Sequence, residues 1–133
     1  MTAKVVDASA IVALLFDEHT RDEVLPRLRD VSLHAPSLLA FEVASACLKK
    51  IRAAPAERET LLQAFGLFDS LSIELQPIDL AQAFVLAEQS ALTIYDASYL
   101  WLAQALGGEL VTLDRKLARA DKRLRGRSPA GSA

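Results

Sequence analysis

Four carboxylates in this chain occupy places where a carboxylate is costly. Asp7 separates the apolar runs Val5-Val6 and ASAIVALLF. Glu42 lies inside LLAFEVASACL, Asp96 inside LTIYDASYLWLA, and Asp114 directly after LVTL. Many of the other acids, such as Asp17, Glu18, Asp22, Glu23, Glu57 and Glu59, sit in polar stretches and read as solvated. An ionised carboxylate among apolar neighbours must be paired, hydrogen-bonded or shifted in pKa. Each of the four has a local reading. Asp7 and Asp114 are placed to cap the helices that follow them. Asp96, three residues after Thr93, fits the pattern of a capping box, although glutamate or glutamine is the usual partner. Glu42 reads as half of a buried salt bridge. Brought together, the four would repel one another and raise each other's pKa values, and a hard divalent cation reverses that penalty. Magnesium or manganese, as one ion or two, takes such oxygen ligands. A pocket of this kind suits phosphodiester hydrolysis, in which the cation activates water and neutralises charge growing on the phosphate. Ser9 and Thr112, each two residues from one of these acids, read either as ordinary capping groups or as hydroxyls that orient carboxylates, water or phosphate. No His/Cys cluster points to zinc, and His19 and His34 read as structural or solvated.

These acids need elements to hold them. KVVD reads as a short buried strand and SAIVALLFDE as a helix with Ser9 near its start. A surface helix is expected over about Arg21 to Arg29, and a strand over VSLHAPS, with Ser37 as the N-cap of a long helix from Leu38 to Arg52. The apolar neighbours of Glu42 make that helix look buried nearly all round. Pro55 opens a further helix, paired with the previous one. SIELQPI is expected to be a strand, DLAQAFVLAEQSA and TIYDASYLWLAQALGG two helices, the second capped by Gly107 and Gly108. ELVTLD is the last strand and RKLARADKRLR a basic helix. Strands alternating with helices predict an α/β fold, a three-layer α/β/α domain with a small, mostly parallel central sheet. In such a sheet ligands bind beyond the carboxyl ends of the strands, where Asp7 and Asp114 would lie.

The chain has 133 residues, enough for one domain with a real core, expected over residues 1–124, followed by a disordered tail over 125–133. Hydrophobic content of 52% against 24% charged residues is globular. Charge-free stretches fall short of the ~20 apolar residues of a membrane span, and Asp7 interrupts any signal-peptide pattern, so a cytoplasmic protein is expected. The lone Cys47 reads as a buried core residue. The net charge of −2 hides an asymmetry. Residues 1–114 carry 8 basic and 16 acidic side chains, residues 115–133 carry 7 and 1. The basic end reads as a polyanion contact or as a solvated helix face.

VVDASAIVALL, PSLLAFEVASACLKK, LTIYDASYLWLA and LVTLDRKL together resemble, in order and spacing, the four motif blocks of PIN-domain ribonucleases, most of all the VapC toxins of type II toxin–antitoxin pairs. The resemblance spans almost the whole chain. It implies a magnesium- or manganese-dependent endoribonuclease with Asp7, Glu42, Asp96 and Asp114 as its acidic, metal-holding quartet, and Ser9 and Thr112 at the polar positions beside those acids. It also implies an RNA substrate, a homodimer and a small antitoxin that shields the pocket with a basic side chain. Leu117 stands where the family often has an aromatic residue, a departure that touches packing. On this reading Arg115, Lys116, Arg119, Lys122 and Arg123 hold RNA phosphates through salt-dependent contacts. Tyr95, Tyr99 and Trp101 read as base-stacking groups or as core and dimer contacts.

The alternatives are a PIN-domain RNA-processing nuclease outside a toxin pair and a catalytically silent RNA- or protein-binding module. A haloacid-dehalogenase-like phosphatase would need an acid where Ser9 stands, and no G-x-G-x-x-G follows the first strand to bind a dinucleotide. A receiver domain would want a lysine after a later strand, whereas the third strand runs into Gln76-Pro77.

Overall fold

A computed structural model describes residues 1–127 of the chain. The strands are β1 (Thr2–Val6), β2 (Val31–Pro36), β3 (Glu74–Gln76) and β4 (Glu109–Val111). The helices are α1 (Ala8–Leu15), α2 (Arg21–Val24), α3 (Leu38–Ala53), α4 (Arg58–Gly66), α5 (Leu80–Ser90), α6 (Ile94–Leu106) and α7 (Arg115–Arg127). The sheet order is β3-β2-β1-β4 and every pairing is parallel. The chain therefore builds outward from β1 in one direction and then returns to add β4 on the other side. The crevice between the ends of β1 and β4 is the topological switch point, where open α/β sheets bind ligands.

Register explains why particular residues meet there. Val5 pairs with Leu110 and Val6 with Val111. One step further, Asp7 comes level with Thr112, and the Asp7 N–H donates to the Val111 carbonyl at 3.3 Å. Val5, Val6, Leu110 and Val111 are buried, the continuous apolar pattern of strands covered on both faces. Helix α6 packs across β1 and β2, α5 lies against α6, and α7 packs on α6 and β4. Ala97, Tyr99, Leu100, Leu102 and Ala103 of α6 are all buried.

Several elements differ from expectation. The helix predicted from Arg21 stops at Val24 and continues as a 3₁₀ turn over Leu25–Leu28, because Pro26 supplies no N–H to an α-helical ladder. Pro55 likewise opens a 3₁₀ turn, Pro55–Glu57, ahead of α4. Ser37 occupies the N-cap position of α3, but its side chain makes no capping bond. Its backbone is already helical (φ −55°, ψ −26°), not in the extended conformation a capping side chain requires. Helix α3 is buried along a single stripe, Leu39, Val43 and Cys47, and not all round. Phe41 is 78% exposed. Cys47 is buried as expected, and its thiol points to the Leu61 carbonyl of α4.

The expected domain boundary at residue 124 falls within α7. The helix runs on to Arg127, held by a pair between the Arg125 Nε and Asp121 3.0 Å apart, one turn earlier. The part of the expected tail beyond residue 127 lies outside the described residues. Gly107 closes α6 in the left-handed conformation (φ +64°), as its position predicts. Gly108 is required for a different reason: a Cβ there would collide with the Ala3 carbonyl oxygen. Leu117 is fully buried in the core, so an aliphatic side chain fills that position. His34 bridges strands, with Ser32 Oγ on one ring nitrogen and Gln76 of β3 on the other.

Candidate active site

Asp7 ends β1 and caps α1. Its Oδ1 accepts the Ala10 N–H at 3.2 Å and the Ser9 hydroxyl at 2.7 Å, and its Oδ2 accepts the Thr112 hydroxyl at 2.5 Å. Capping and presentation thus use the same carboxylate. The two hydroxyls are fixed in turn: Ser9 Oγ accepts the Leu113 N–H at 2.9 Å and Thr112 Oγ1 accepts the Asp114 N–H at 3.0 Å. Each therefore has its donor directed at Asp7. Asp7 is only 6% exposed. Burial raises its pKa, the Thr112, Ser9 and Ala10 hydrogen bonds oppose that, and the charge of Asp96 adds to the rise.

Asp114 caps α7 through the Leu117 N–H at 3.0 Å. Asp96 sits in the first turn of α6, where its own N–H is taken by Thr93 Oγ1 at 3.1 Å. Its carboxylate makes no return bond to the backbone, so the capping box is half-formed. Thr93 is its one hydrogen-bonding side chain among the described residues. Burial raises its pKa and Asp114 raises it further, against Thr93 and Lys116, which lower it.

Glu42 arrives on α3. Among the described residues the salt bridge expected for it is not made. Its partner is the Tyr99 hydroxyl, which donates to Oε1 at 2.5 Å. Tyr99 is 1% exposed, and its pKa is raised by burial, by the hydrogen bond to Glu42 and by the charges of Glu42, Asp7 and Asp96. That phenol therefore has three of the four acids within electrostatic reach. Sequence reasoning treated Tyr99 as a stacking or packing residue; the signal available was its position one helical turn after Asp96, on the same face.

The four acids are thus coupled around the end of β1: Asp7 with Asp96, Asp96 with Asp114, and Glu42 through Tyr99. All donors are hard oxygens and none is neutralised by an Arg or Lys ion pair among the described residues, which suits magnesium or manganese. No three Asp, Glu, His or Cys side chains among the described residues stand close enough to form a ready-made ligand set. Magnesium commonly takes one or two carboxylates and completes its shell with water and substrate phosphate, so paired acids fit it better than a closed cage would.

Residues 4–123 match the PIN domain family. The chain belongs to it. The PIN domain is 36% identical over 119 residues to the protein named Ribonuclease VapC3 of Pyrobaculum aerophilum, covering 86% of this chain and 91% of that one. It is 32% identical over 117 residues to Ribonuclease VapC12 of Mycobacterium tuberculosis, covering 87% and 90%. Its fold is similar to the crystal structure of PAE2754 from Pyrobaculum aerophilum, with a TM-score of 0.73 and 26% identity over 95% of this chain and 94% of that one. This is a VapC-like PIN domain.

Its final helix turns Leu117, Ala120, Asp121 and Leu124 inward and leaves Arg115, Lys116, Arg119, Lys122 and Arg123 exposed. Lys116 is not wholly free, since its ammonium donates to the Ala91 carbonyl at the end of α5, 2.7 Å away. Tyr95, beside Asp96, is 59% exposed, whereas Trp101 hydrogen-bonds Gln82 of α5. No helix of the described residues is long and apolar enough to cross a membrane.

Proposed function

We propose that this PIN domain is a magnesium- or manganese-dependent endoribonuclease that acts as the toxin of a type II toxin–antitoxin pair. The observation that supports the reading is the pairwise coupling of Asp7 with Asp96 and of Asp96 with Asp114, with burial and repulsion raising Asp7 and Asp96. The relatives named VapC ribonucleases supply the substrate class. Asp7, Glu42, Asp96 and Asp114 are the residues that would hold one or two cations. When bound, the cation supplies a Lewis acid for the phosphate and lowers the pKa of water at the site.

The chain's own side chains do the positioning. Ser9 and Thr112 each donate a hydrogen bond to Asp7 and so favour its ionised form. Asp96, whose carboxylate is held by no backbone N–H among the described residues, is the acid best able to take a proton from water or turn toward a ligand. The exposed arginines and lysines of α7 follow directly from Asp114 and offer phosphate contacts beside the acids. An antitoxin that inserts a basic side chain would exploit the same negative potential. Exposed Leu80, Phe84 and Val85 on α5, with Phe41 and Leu48 on α3, support a homodimer. An RNA substrate puts its work in the cytoplasm.

The test is cleavage of a panel of single-stranded and structured RNAs during titration with magnesium, manganese and EDTA, with Asp96→Asn as control. Cleavage should require the cation and vanish in the variant while its circular dichroism is unchanged. Cleavage that persists in EDTA, or in Asp96→Asn, overturns the assignment. Growth arrest on expression, relieved by the product of a neighbouring small reading frame, tests the toxin role.

A further inference from the structure

Glu42 is the one acid of the four that reaches the site on a long, flexible side chain from the second turn of a helix. The other three lie at or near helix starts, where backbone N–H groups hold the carboxylates of Asp7 and Asp114 and the Thr93 hydroxyl accepts the Asp96 N–H. Glu42 is half-buried, has three side-chain torsions, and among the described residues receives one hydrogen bond, from Tyr99. Without that bond it has no group to hold it against swinging into solvent.

Tyr99 is built to be that group. Its ring is locked in the core beside Leu100 and Leu102, so packing sets where the hydroxyl lies. Its place one turn after Asp96 means that a single face of α6 carries one acid and the donor that holds another. The bond spans 57 residues of sequence and ties α6 to α3 at the site itself. Ser9 from the first turn of α1 and Thr112 from the segment after β4 do the same for Asp7.

We infer that Tyr99 is a positioning residue: its hydroxyl holds Oε1 of Glu42 and leaves Oε2 available to a cation bound among these acids. The inference rests on the proposed reading of the acids as a metal site. It predicts that Tyr99 acts on the cation only through Glu42.

Manganese binding is measured by calorimetry on the full chain without RNA, for the parent, Tyr99→Phe, Glu42→Ala and the double variant. Melting curves run alongside. Tyr99→Phe should weaken manganese binding about 10-fold or more, the range for removed partners of metal ligands. In the Glu42→Ala background the same change should alter it less than about 2-fold. Glu42→Asp, which keeps the charge but shortens the side chain so that it no longer reaches the hydroxyl, should mimic Tyr99→Phe and not add to it. This second variant carries the test if the aromatic substitution disturbs the core. Parent-like manganese binding in Tyr99→Phe, or an equal loss with and without Glu42, overturns the inference and leaves the metal reading standing. A parent chain that binds no manganese overturns both.

Discussion

Thr112→Val asks whether the hydroxyls beside Asp7 exist to hold a charge or merely fill space. Valine has nearly the shape of threonine, so packing in this buried corner is preserved. What disappears is one oxygen that donates to Asp7 at 2.5 Å and accepts the Asp114 N–H at 3.0 Å. A hydrogen bond to a charged group contributes about 1.5–3 kcal/mol and a neutral one about 1 kcal/mol. Asp7 is buried, so water does not replace the missing donor; Asp114 is exposed, so its N–H is readily solvated. Urea unfolding of the metal-free protein at neutral pH should therefore show a loss of about 2–3 kcal/mol. In the Asp7→Asn background the hydroxyl meets a neutral amide, and the same substitution should cost about 1 kcal/mol, leaving a coupling of about 1–2 kcal/mol.

The pH dependence has a definite sign. Asp7 already titrates above its ordinary value of 3.8 because burial outweighs its hydrogen bonds. Its ionisation therefore costs the folded state stability as pH rises from 3.8 through the folded pKa. Removing Thr112 takes away the largest opposing hydrogen bond and moves that pKa further up. The penalty of Thr112→Val should accordingly grow as pH rises through the Asp7 range and shrink below it. Equal penalties in both backgrounds, or at both ends of the pH range, would refute the charge-holding role and reduce Thr112 to a packing residue.

Three other outcomes are expected. Burial favours a raised Glu109 pKa, but Arg27 and Lys4 outweigh it and lower the value from 4.5; this carboxylate stabilises the fold above its ordinary value, and the contribution disappears as pH falls through the lower folded value. Glu109→Gln should thus lower the urea midpoint at pH 7 and leave it unchanged in strong acid, and an equal effect at both would contradict the ion-pair account. Gly108→Ala drives a methyl group into the Ala3 carbonyl and should destabilise by about 1–3 kcal/mol, read from thermal melts; a neutral effect would mean that β1 shifts freely. Replacing Arg115, Arg119, Lys122 and Arg123 with glutamine should weaken RNA binding and flatten its dependence on salt, the slope falling by about one for each phosphate no longer neutralised, and an unchanged slope would remove α7 from the RNA path.

What could be read from the sequence follows from how local each signal is. The strands, the Gly107 cap and the positions of Asp7 and Asp114 were legible because each depends on adjacent residues: a β-branched run, a left-handed turn, an acid at a strand's end. Pro26 was equally local, and its effect on the second helix was open to reading. Helix α3 misled because apolar composition records only that a face is covered by something. Leu39, Val43 and Cys47 face this domain's core, while Phe41 faces outward. The bond from Tyr99 to Glu42 was hidden because a tyrosine at helical spacing looks the same whether its hydroxyl meets solvent or an acid brought in by another helix.

Asp96 shows how much one methylene can say. After Thr93, a glutamate at its position would reach back to the N-cap backbone and close the box, which would occupy its carboxylate in holding the helix. Aspartate is shorter. Threonine still accepts the Asp96 N–H at 3.1 Å, so α6 begins where the sequence predicts, while the carboxylate stays clear of the backbone and couples to Asp7 and Asp114. The departure from the preferred capping residue is what keeps the acid available. Asp96→Glu should therefore start α6 as well as or better than the parent and still impair any cation-dependent cleavage, because the longer acid is drawn back to its own helix. A variant that cleaves like the parent would show that the length of this side chain does not matter.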